Sequence, residues 1–426
     1  MNITNSGKNE YGGETVSTSY SSEDDDYQQG YRSRVSYFDI DRTKIREDVY
    51  FTDKYVNENG LVSAVFYYDS SARITKTEYF PASAFTAKNG IKGRIDYSDN
   101  KGNKIKQETF FNDENDYHTS IIYYDSGGVM TMKDYLYSVK FADRMGYSKS
   151  IFQYDTNGNK KTVELLHTEG FARDKGISRR IQYYGVDGKK IKEEVFYSKQ
   201  YADEDGTHMR IDYHDSNGNK VREEQLVTDA FAAKYGYNKM VADLDKNGIV
   251  TRSEYFHTDA YAKDQGKRRT IEYFDVLGKK TRIDFNNSDE VAKASGCSIY
   301  SEYFDHAGCL VKIERTLTDI AAASKGIQSF IAYVDNRGKV IRAEHFYTEK
   351  AMKEKGITMT IIHVDGNENK IREEFFHTER YAAKSGFNKG VVYYDSSGGV
   401  SKIDYFMNDK PVQVSNKMGD SGYGFN

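Results

Sequence analysis

The stretch Asp243-Leu244-Asp245-Lys246-Asn247-Gly248-Ile249-Val250-Thr251-Arg252-Ser253-Glu254 has the make-up of a calcium loop. Asp243, Asp245 and Asn247 fall at positions one, three and five, Gly248 at six and Glu254 at twelve. That is the spacing at which oxygen ligands wrap a calcium ion in an EF-hand. Ring stacking is a second candidate chemistry. Tyr68, Tyr124, Tyr154, Tyr184, Phe274, Phe304 and Tyr394 each stand directly before the first residue of a turn, and an aromatic row on one face can stack on sugar rings. His167, His257 and His377 share one position in a longer pattern, but they lie whole repeats apart, at roughly 10 Å of sheet per repeat, which rules out a shared metal. Covalent or acid–base catalysis needs unlike residues converging on one place. This chain offers like residues at regular intervals. It contains no phosphate loop, dinucleotide fingerprint, nucleophile elbow or Cys-x-x-Cys, so neither an enzyme nor a cofactor is expected.

The regularity is an internal repeat. Taking Asp215 as anchor, equivalent residues fall at Asp39, Asp69, Asp99, Asp125, Asp155, Gly185, Asp245, Asp275, Asp305, Asp335, Asp365 and Asp395. Every step is 30 residues except the 26 between Asp99 and Asp125, giving thirteen copies. A period of this size marks an array of stacked supersecondary units. It also demotes the calcium loop. Asp245 is the anchor, Gly248 the turn glycine and Glu254 an acid that every copy carries. The flanks read as strands, not as EF-hand helices.

Each copy opens with a hairpin. Gly follows the anchor by three in ten of thirteen copies, as in Asp155-Thr156-Asn157-Gly158. Asp suits the first position of a type I turn and Gly the left-handed position that follows. Alternating segments flank the turn, and then comes Thr or Ser, often an acid, an aromatic and Ala, and finally Gly. Thr168-Glu169, Phe171-Ala172 and Gly176 form one such set. This is a capped two-turn helix with a glycine stop. Between Phe111 and Ile121 the helix pattern is missing, which predicts a local kink or a thinner layer. The fold class is therefore an α+β repeat array: β-hairpin plus short helix, forming an elongated, twisted antiparallel sheet with helices along one side. Residues 1–30, rich in Ser, Gly and acids, read as a disordered tail. The array covers 31–406 with its break near 111–121, and 407–426 reads as a polar, Gly-rich tail or partial cap.

Pairing the anchor with the residue four on sets a register. On one-to-one counting it puts Ile211, Tyr213 and Val221 on one face, and Arg210, Asp212, Arg222 and Glu224 on the other. Asp96 would then oppose Lys106, Arg94 would oppose Glu108, and Glu272 would oppose Arg282. The residue nine after the anchor is Asp or Glu in all thirteen copies, and Lys or Arg stands two before it in eleven. This charged stripe reads either as a binding face for an extended polymer or as a solvated face that fixes register. Tyr stands two before the anchor in ten copies. On this register the next aromatic, the Tyr68 to Tyr394 row, points to the charged face and is the better candidate for ligand contact.

The Tyr-Tyr-Asp-x-x-Gly-x-x-x-Lys/Arg core, as in Tyr393 to Lys402, resembles the YD repeats of Rhs-type bacterial proteins. It is also similar to the Tyr- and Gly-rich hairpin repeats of bacterial surface and cell-wall-binding proteins. The resemblance covers the hairpin, some fifteen of thirty residues, and implies a bacterial hairpin-repeat origin. The capped helix departs from both groups, and so does the absence of Trp.

Composition agrees with a thin array. Charged residues are 30% and hydrophobic residues 38% of the chain, too polar for one large globule, while 37 Tyr argue against disorder. A net charge of -4 gives no general attraction to nucleic acid or anionic membrane, and no apolar run is long enough to span a bilayer. Cys297 and Cys309 imply no disulfide framework. The first residues carry no secretory signal pattern, so a cytoplasmic protein is expected, with surface exposure by another route left open. The expected role is a non-enzymatic scaffold or recognition protein with a protein or polysaccharide partner along the sheet. A carbohydrate-binding protein and a self-assembling filament protein are the alternatives.

Overall fold

The computed structural model describes residues 3–413. The chain forms two compact units, Met1–Asn219 and Lys220–Asn426. Each unit is an open antiparallel sheet in which strands pair in sequence order. The first holds fifteen strands, from Ile3–Lys8 to Thr207–His214. The second holds fourteen, from Lys220–Val227 to Lys410–Val412. Among the described residues no helix is long and apolar enough to cross a membrane.

The hairpin turns follow from local chemistry. In the turn at Asp155, the anchor N–H donates to the Asn159 carbonyl (2.9 Å), and the Gly158 N–H donates to the Asp155 carbonyl (3.0 Å). The Asp155 carboxylate also accepts from the backbone of Asn157 and Asn159 (2.9 and 2.8 Å). Three copies lack Gly at the third position after the anchor, and there Arg42, Ala72 and Glu368 hold the same left-handed backbone, at φ 62°, 61° and 66°. The turn geometry therefore overrides residue preference, at a cost of about 1 kcal/mol for each non-glycine.

One residue past this turn the ladder slips. Tyr184 pairs with Lys190, but Tyr183 pairs with Lys192, so Ile191 is an extra, bulged residue. The same irregularity recurs at Tyr97–Ser98, Tyr273–Phe274 and Tyr393–Tyr394. It corrects the one-to-one register. Tyr97, not Asp96, faces Lys106, and Ile95, not Arg94, faces Glu108. Tyr273, not Glu272, faces Arg282. The residues expected on opposite faces therefore share one: Tyr183 and Ile181 stand with Lys192 and Glu194. The bulged position is β-branched in most copies, and Ile191, Ile341 and Ile371 are exposed there. Where it is Thr, the hydroxyl donates to the carbonyl two before the anchor, as Thr251 does to Asp243 (3.2 Å).

Seven-residue helices join successive hairpins. Such a helix is not stable alone. Each closes on a left-handed glycine, all but Ser83–Asn89 are capped by a Thr or Ser hydroxyl, and most seat a ring on the preceding glycine. In Glu169–Lys175 the Thr168 hydroxyl accepts from Phe171 N–H, and Gly176 closes the helix at φ 74°. The Gly176 carbonyl then accepts the Ser198 N–H of the next copy (2.7 Å), and the Tyr201 ring covers Gly176 so closely that a Cβ there would lie 2.4 Å from it. The aromatic in the third helix position thus seats on the preceding glycine. Tyr55, Phe85, Tyr261 and Tyr381 repeat the contact. Even the largest fully buried side chains are small, namely Val49, Val195, Val241, Val391, Thr360 and Ser150. A single sheet layer leaves no room for a thick core.

Residues 3–30, expected as a disordered tail, are ordered. Ile3–Lys8 and Glu14–Ser19 form a hairpin that pairs with Tyr31–Phe38, and Asp25–Gln28 forms one helical turn. Asn9 fixes the hairpin: its amide donates to the Phe38 and Glu14 carbonyls (2.8 and 2.9 Å), and its oxygen accepts from Tyr11 and Gly13. A polar segment can order this way because it adds backbone bonds to an existing sheet edge and needs no core of its own. At the other end, Lys410–Val412 adds a strand to Tyr405–Met407, while residues 414–426 of the expected tail lie outside the described residues.

A carboxylate ladder on the sheet as the candidate interaction surface

The acid nine residues after each anchor is the centre of the surface. In seven copies it is buried, with Asp48, Asp134, Glu224, Glu254, Asp284, Glu344 and Glu374 5–8% exposed, and in the other six it is half-buried. Strand alternation sets it beside the Lys or Arg two residues back, and the bulge sets that cation opposite the Tyr two before the anchor. Arg46 grips Asp48 with two bonds (2.7 and 2.9 Å), and the Tyr37 hydroxyl donates to the same carboxylate (3.3 Å). Tyr303 donates to Glu314 (2.8 Å) in the same way. The cations also lie against the rings. Arg282 is 5.1 Å from both the Tyr273 and Tyr303 ring centres, and Lys312 is 3.5 Å from Tyr303. In most copies the face is therefore a ladder of alternating cation and tyrosine, with a buried or half-buried acid at each rung.

Where the cation is lost, a neighbour replaces it. Met132 and Thr162 occupy the cation position in two copies. There Lys149 reaches Asp134 (2.9 Å) and Arg179 reaches Glu164 (2.6 Å) from the adjacent strand. Glu224 and Glu374 have both kinds of partner. Arg222 and Lys239 each lie 2.7 Å from Glu224, and Glu374 meets Arg372 (2.8 Å), Lys389 (2.7 Å) and His363 (3.2 Å). Burial is the largest influence on the Glu374 carboxyl and opposes its ionisation. Lys389, Arg372 and His363 together outweigh it and hold the group below the ordinary carboxylate range. Burial, then the bond to Glu314, pushes the Tyr303 hydroxyl up to about 12. Glu374 therefore keeps its charge across the neutral range.

The aromatic row from Tyr68 to Tyr394 sits on the opposite face of the sheet. Cross-strand pairing groups Tyr184 with Gln182, Glu193 and Tyr197, and Tyr197 stacks on the helix ring Tyr201 (4.7 Å). All seven rings of the row are half-buried, and several of its hydroxyls are used internally. Tyr68 donates to Glu47 (3.1 Å) and Tyr394 to Glu373 (2.8 Å), both in the preceding hairpin, and Tyr184 donates to Gln182 (2.8 Å). Lys44, Lys160 and Lys370 lie 4.7, 4.4 and 5.2 Å from the rings of Tyr68, Tyr184 and Tyr394. Lys104 is 5.9 Å from Tyr124. Burial raises the Tyr154 hydroxyl. Phe304 lines a shallow hollow with Lys280 and Ile283, and Phe274 pairs with Lys280 across the bulge. These rings tie adjacent hairpins together.

The calcium-loop residues are engaged separately. Arg252 bonds both Asp243 (2.9 Å) and Glu254, and Arg269 also meets Glu254. Asp245 holds its turn by accepting from Asn247 and Ile249, and Asn247 donates its amide back to Asp245 (3.4 Å). The flanks are the strands Tyr237–Leu244 and Val250–His257. The three histidines of the shared position each donate from Nδ1 to a glycine carbonyl: His167 to Gly146, His257 to Gly236 and His377 to Gly356 (2.9, 3.1 and 3.2 Å). Each stacks on the following helix ring at 4.3–4.4 Å. Among the described residues no group of three or more His, Cys, Asp or Glu could hold a metal. Cys297 is buried, Cys309 is exposed and both are free thiols.

The second unit carries an open groove of about 880 Å³ bordered by Lys239, Phe256, Asp259, Arg269, Asn286 and Asp289. Asn286 stands where Phe256, Phe346 and Phe376 stand in other copies, so an amide replaces a ring on the groove floor. The sequence signal for this groove was a break in an apolar row, visible only after alignment of the copies.

No protein-family model and no curated protein matches this chain. Among solved structures it is similar to TcdB2-TccC3 without its hypervariable C-terminal region, at 12% identity and a TM-score of 0.13, over 92% of this chain and 21% of that one. It is similar to TcdB2-TccC3-Cdc42 at 10% identity and a TM-score of 0.15, over 96% and 25%. A porin-like protein from Bacteroides uniformis is similar at 8% identity and a TM-score of 0.13, over 67% and 88%. The chain spans about a quarter or less of the TcdB2-TccC3 chains it matches.

Proposed function

We propose that this chain is a non-enzymatic recognition scaffold that holds a macromolecular partner, a protein, along the cation–tyrosine face of its sheet. In this reading the array counts thirteen hairpin copies, eleven of them followed by a seven-residue helix among the described residues. The observation that carries the reading is the compensation at Asp134 and Glu164, where a lost cation is restored from the next strand. The arrangement maintains a neutralised, regularly charged surface instead of building one unlike cluster. Such a face offers guanidinium and ammonium donors beside rings at each rung. These suit polar and aromatic groups of an extended surface. The groove beside Asn286 and the exposed Ile341 and Ile371 add adaptable contact area.

The test uses the full chain as bait and Arg222→Gln with Arg372→Gln as the variant. Glu224 keeps Lys239 and Glu374 keeps Lys389, so the fold is spared. A specific protein captured by the native chain should bind the variant about tenfold more weakly, as expected when interfacial cations are removed. Equal capture by both chains would refute the reading.

A further inference from the structure

The 26-residue step in the first unit leaves one helix out, and the surroundings of that slot depart from the repeat together. Between the strands Lys104–Phe111 and Tyr117–Tyr124 the chain makes a short turn, 112–116, where other copies place cap, helix and glycine. The ladder itself is unbroken, with Lys106 opposite Tyr123 and Phe110 opposite Thr119. Elsewhere the last aromatic of the hairpin stacks on a helix ring: Phe51 on Tyr55, Tyr137 on Phe141, Tyr197 on Tyr201. Phe111 holds this position with no helix ring following it. Asn115 lies over Gly90, where the copies with a helix aromatic place that ring.

The uncovered surface is apolar. Tyr117, at 36% exposure, stacks on Tyr135 (4.6 Å) and lies 6.0 Å from Phe111 and 5.6 Å from Tyr137. On the next helix Val139 is 78% and Met145 is 44% exposed. The equivalent of Val139 is an acid in most copies, and in one of them Asp289 pairs with Arg268. Here the two positions are Val139 and His118. The equivalent of Met145 is Lys355, whose amine lies 4.0 Å from where a Cβ on the preceding Gly326 would be. That position therefore looks back toward the preceding copy, which for Met145 is the vacant slot. Charged pairs rim the patch: Lys92 with Asp113 (3.4 Å) and Arg144 with Asp116 (3.1 Å).

We infer that this slot is a docking site for a short amphipathic helix of a partner protein bearing an aromatic residue followed by Ala. The occupant is fixed by what covers the same rings elsewhere in the chain, where Phe171-Ala172, Tyr201-Ala202 and Tyr381-Ala382 do so. A ring entering here displaces the Asn115 amide from over Gly90 and meets Phe111 and Tyr117, and its helix lies against Met145 and Val139. The inference goes beyond the ladder reading and uses none of its residues, so either can fail alone.

The probe is a synthetic peptide with the sequence of Thr378–Gly386, titrated by NMR against the full chain. Saturable binding in the roughly millimolar range is expected, since the peptide must fold on docking. A peptide with Tyr381→Ala should bind at least about tenfold more weakly, as should the native peptide on a Tyr117→Ser chain. A second variant replaces 112–116 with the cap–helix–glycine segment Ser198–Gly206. This fills the slot in cis and should abolish binding while the chain stays folded. No saturable binding to the native chain would overturn the inference. So would equal binding of the Tyr381→Ala peptide, undiminished binding by the filled variant, or a neutral oligosaccharide occupying Tyr117 where the peptide does not.

Discussion

Glu374→Ala is expected to destabilise the second unit by about 2–4 kcal/mol, the scale of a buried ion pair broken from one side, reduced because its cations are partly exposed. The carboxylate is 6% exposed and answers Arg372, Lys389 and His363 at once. Its loss leaves the Arg372 and Lys389 cations facing one another with no counter-charge and the His363 ring without its partner. Glu374→Gln should recover part of the loss through hydrogen bonding but not the charge. The group also gives a sign for acid sensitivity. Its folded-state pKa is depressed, so its contribution is fully present above the ordinary carboxylate value of about 4.3. It disappears as pH falls through the lower folded-state value. Urea unfolding followed at pH 7 and again below pH 4 should therefore show a native-to-variant gap that narrows in acid. A gap under about 0.5 kcal/mol at pH 7 is the ordinary range for surface positions and would mean that the row is solvated surface.

The second large effect is a contrast between two glycines. Gly158 and Gly176 have nearly the same backbone, φ 81° and 74°. A methyl on Gly158 meets nothing within 4 Å, whereas one on Gly176 would lie 2.4 Å from the Tyr201 ring. Gly158→Ala should cost only the left-handed penalty, about 1 kcal/mol. Gly176→Ala adds the displacement of Tyr201, for a total of about 3 kcal/mol or more. It should also loosen the bond from Ser198 N–H to the Gly176 carbonyl, visible as faster amide exchange at Ser198. Equal losses for the two substitutions would show that the seating of each helix ring on the preceding glycine contributes nothing to the array.

Much of this architecture was legible because it rests on local rules. Asp155 and Gly158 announce their turn, and Thr168 and Gly176 announce the ends of their helix. Even the missing helix after Phe111 is readable as a shortened period. The face assignment was not legible on one-to-one counting. The bulge at Ile191 shifts every later pair by one, and the Tyr, Lys and Glu alternation fits either register. The β-branched row at that position was the available signal. Contacts between hairpins were also hidden. Tyr394 donates to Glu373, 21 residues back, a partner that no single-hairpin reading reaches. The segment 3–30 misled for a different reason. Low hydrophobicity argues against an independent core, but a hairpin built on Asn9 needs only a neighbouring strand.

The ladder and the vacant slot make different demands on a partner. The ladder spreads modest contacts over many rungs, so its affinity accumulates with the number of rungs engaged. The slot would act once, through a buried ring. A partner could use either, and their substitutions do not overlap.

Hydroxyl-radical footprinting of the full chain, with and without the captured partner, tests the ladder most directly. The account predicts protection that recurs every 30 residues, at Tyr273, Tyr303 and Tyr333 and at the bulged Ile341 and Ile371. Protection confined to one copy, or limited to the face of Tyr184 and Tyr394, would contradict it.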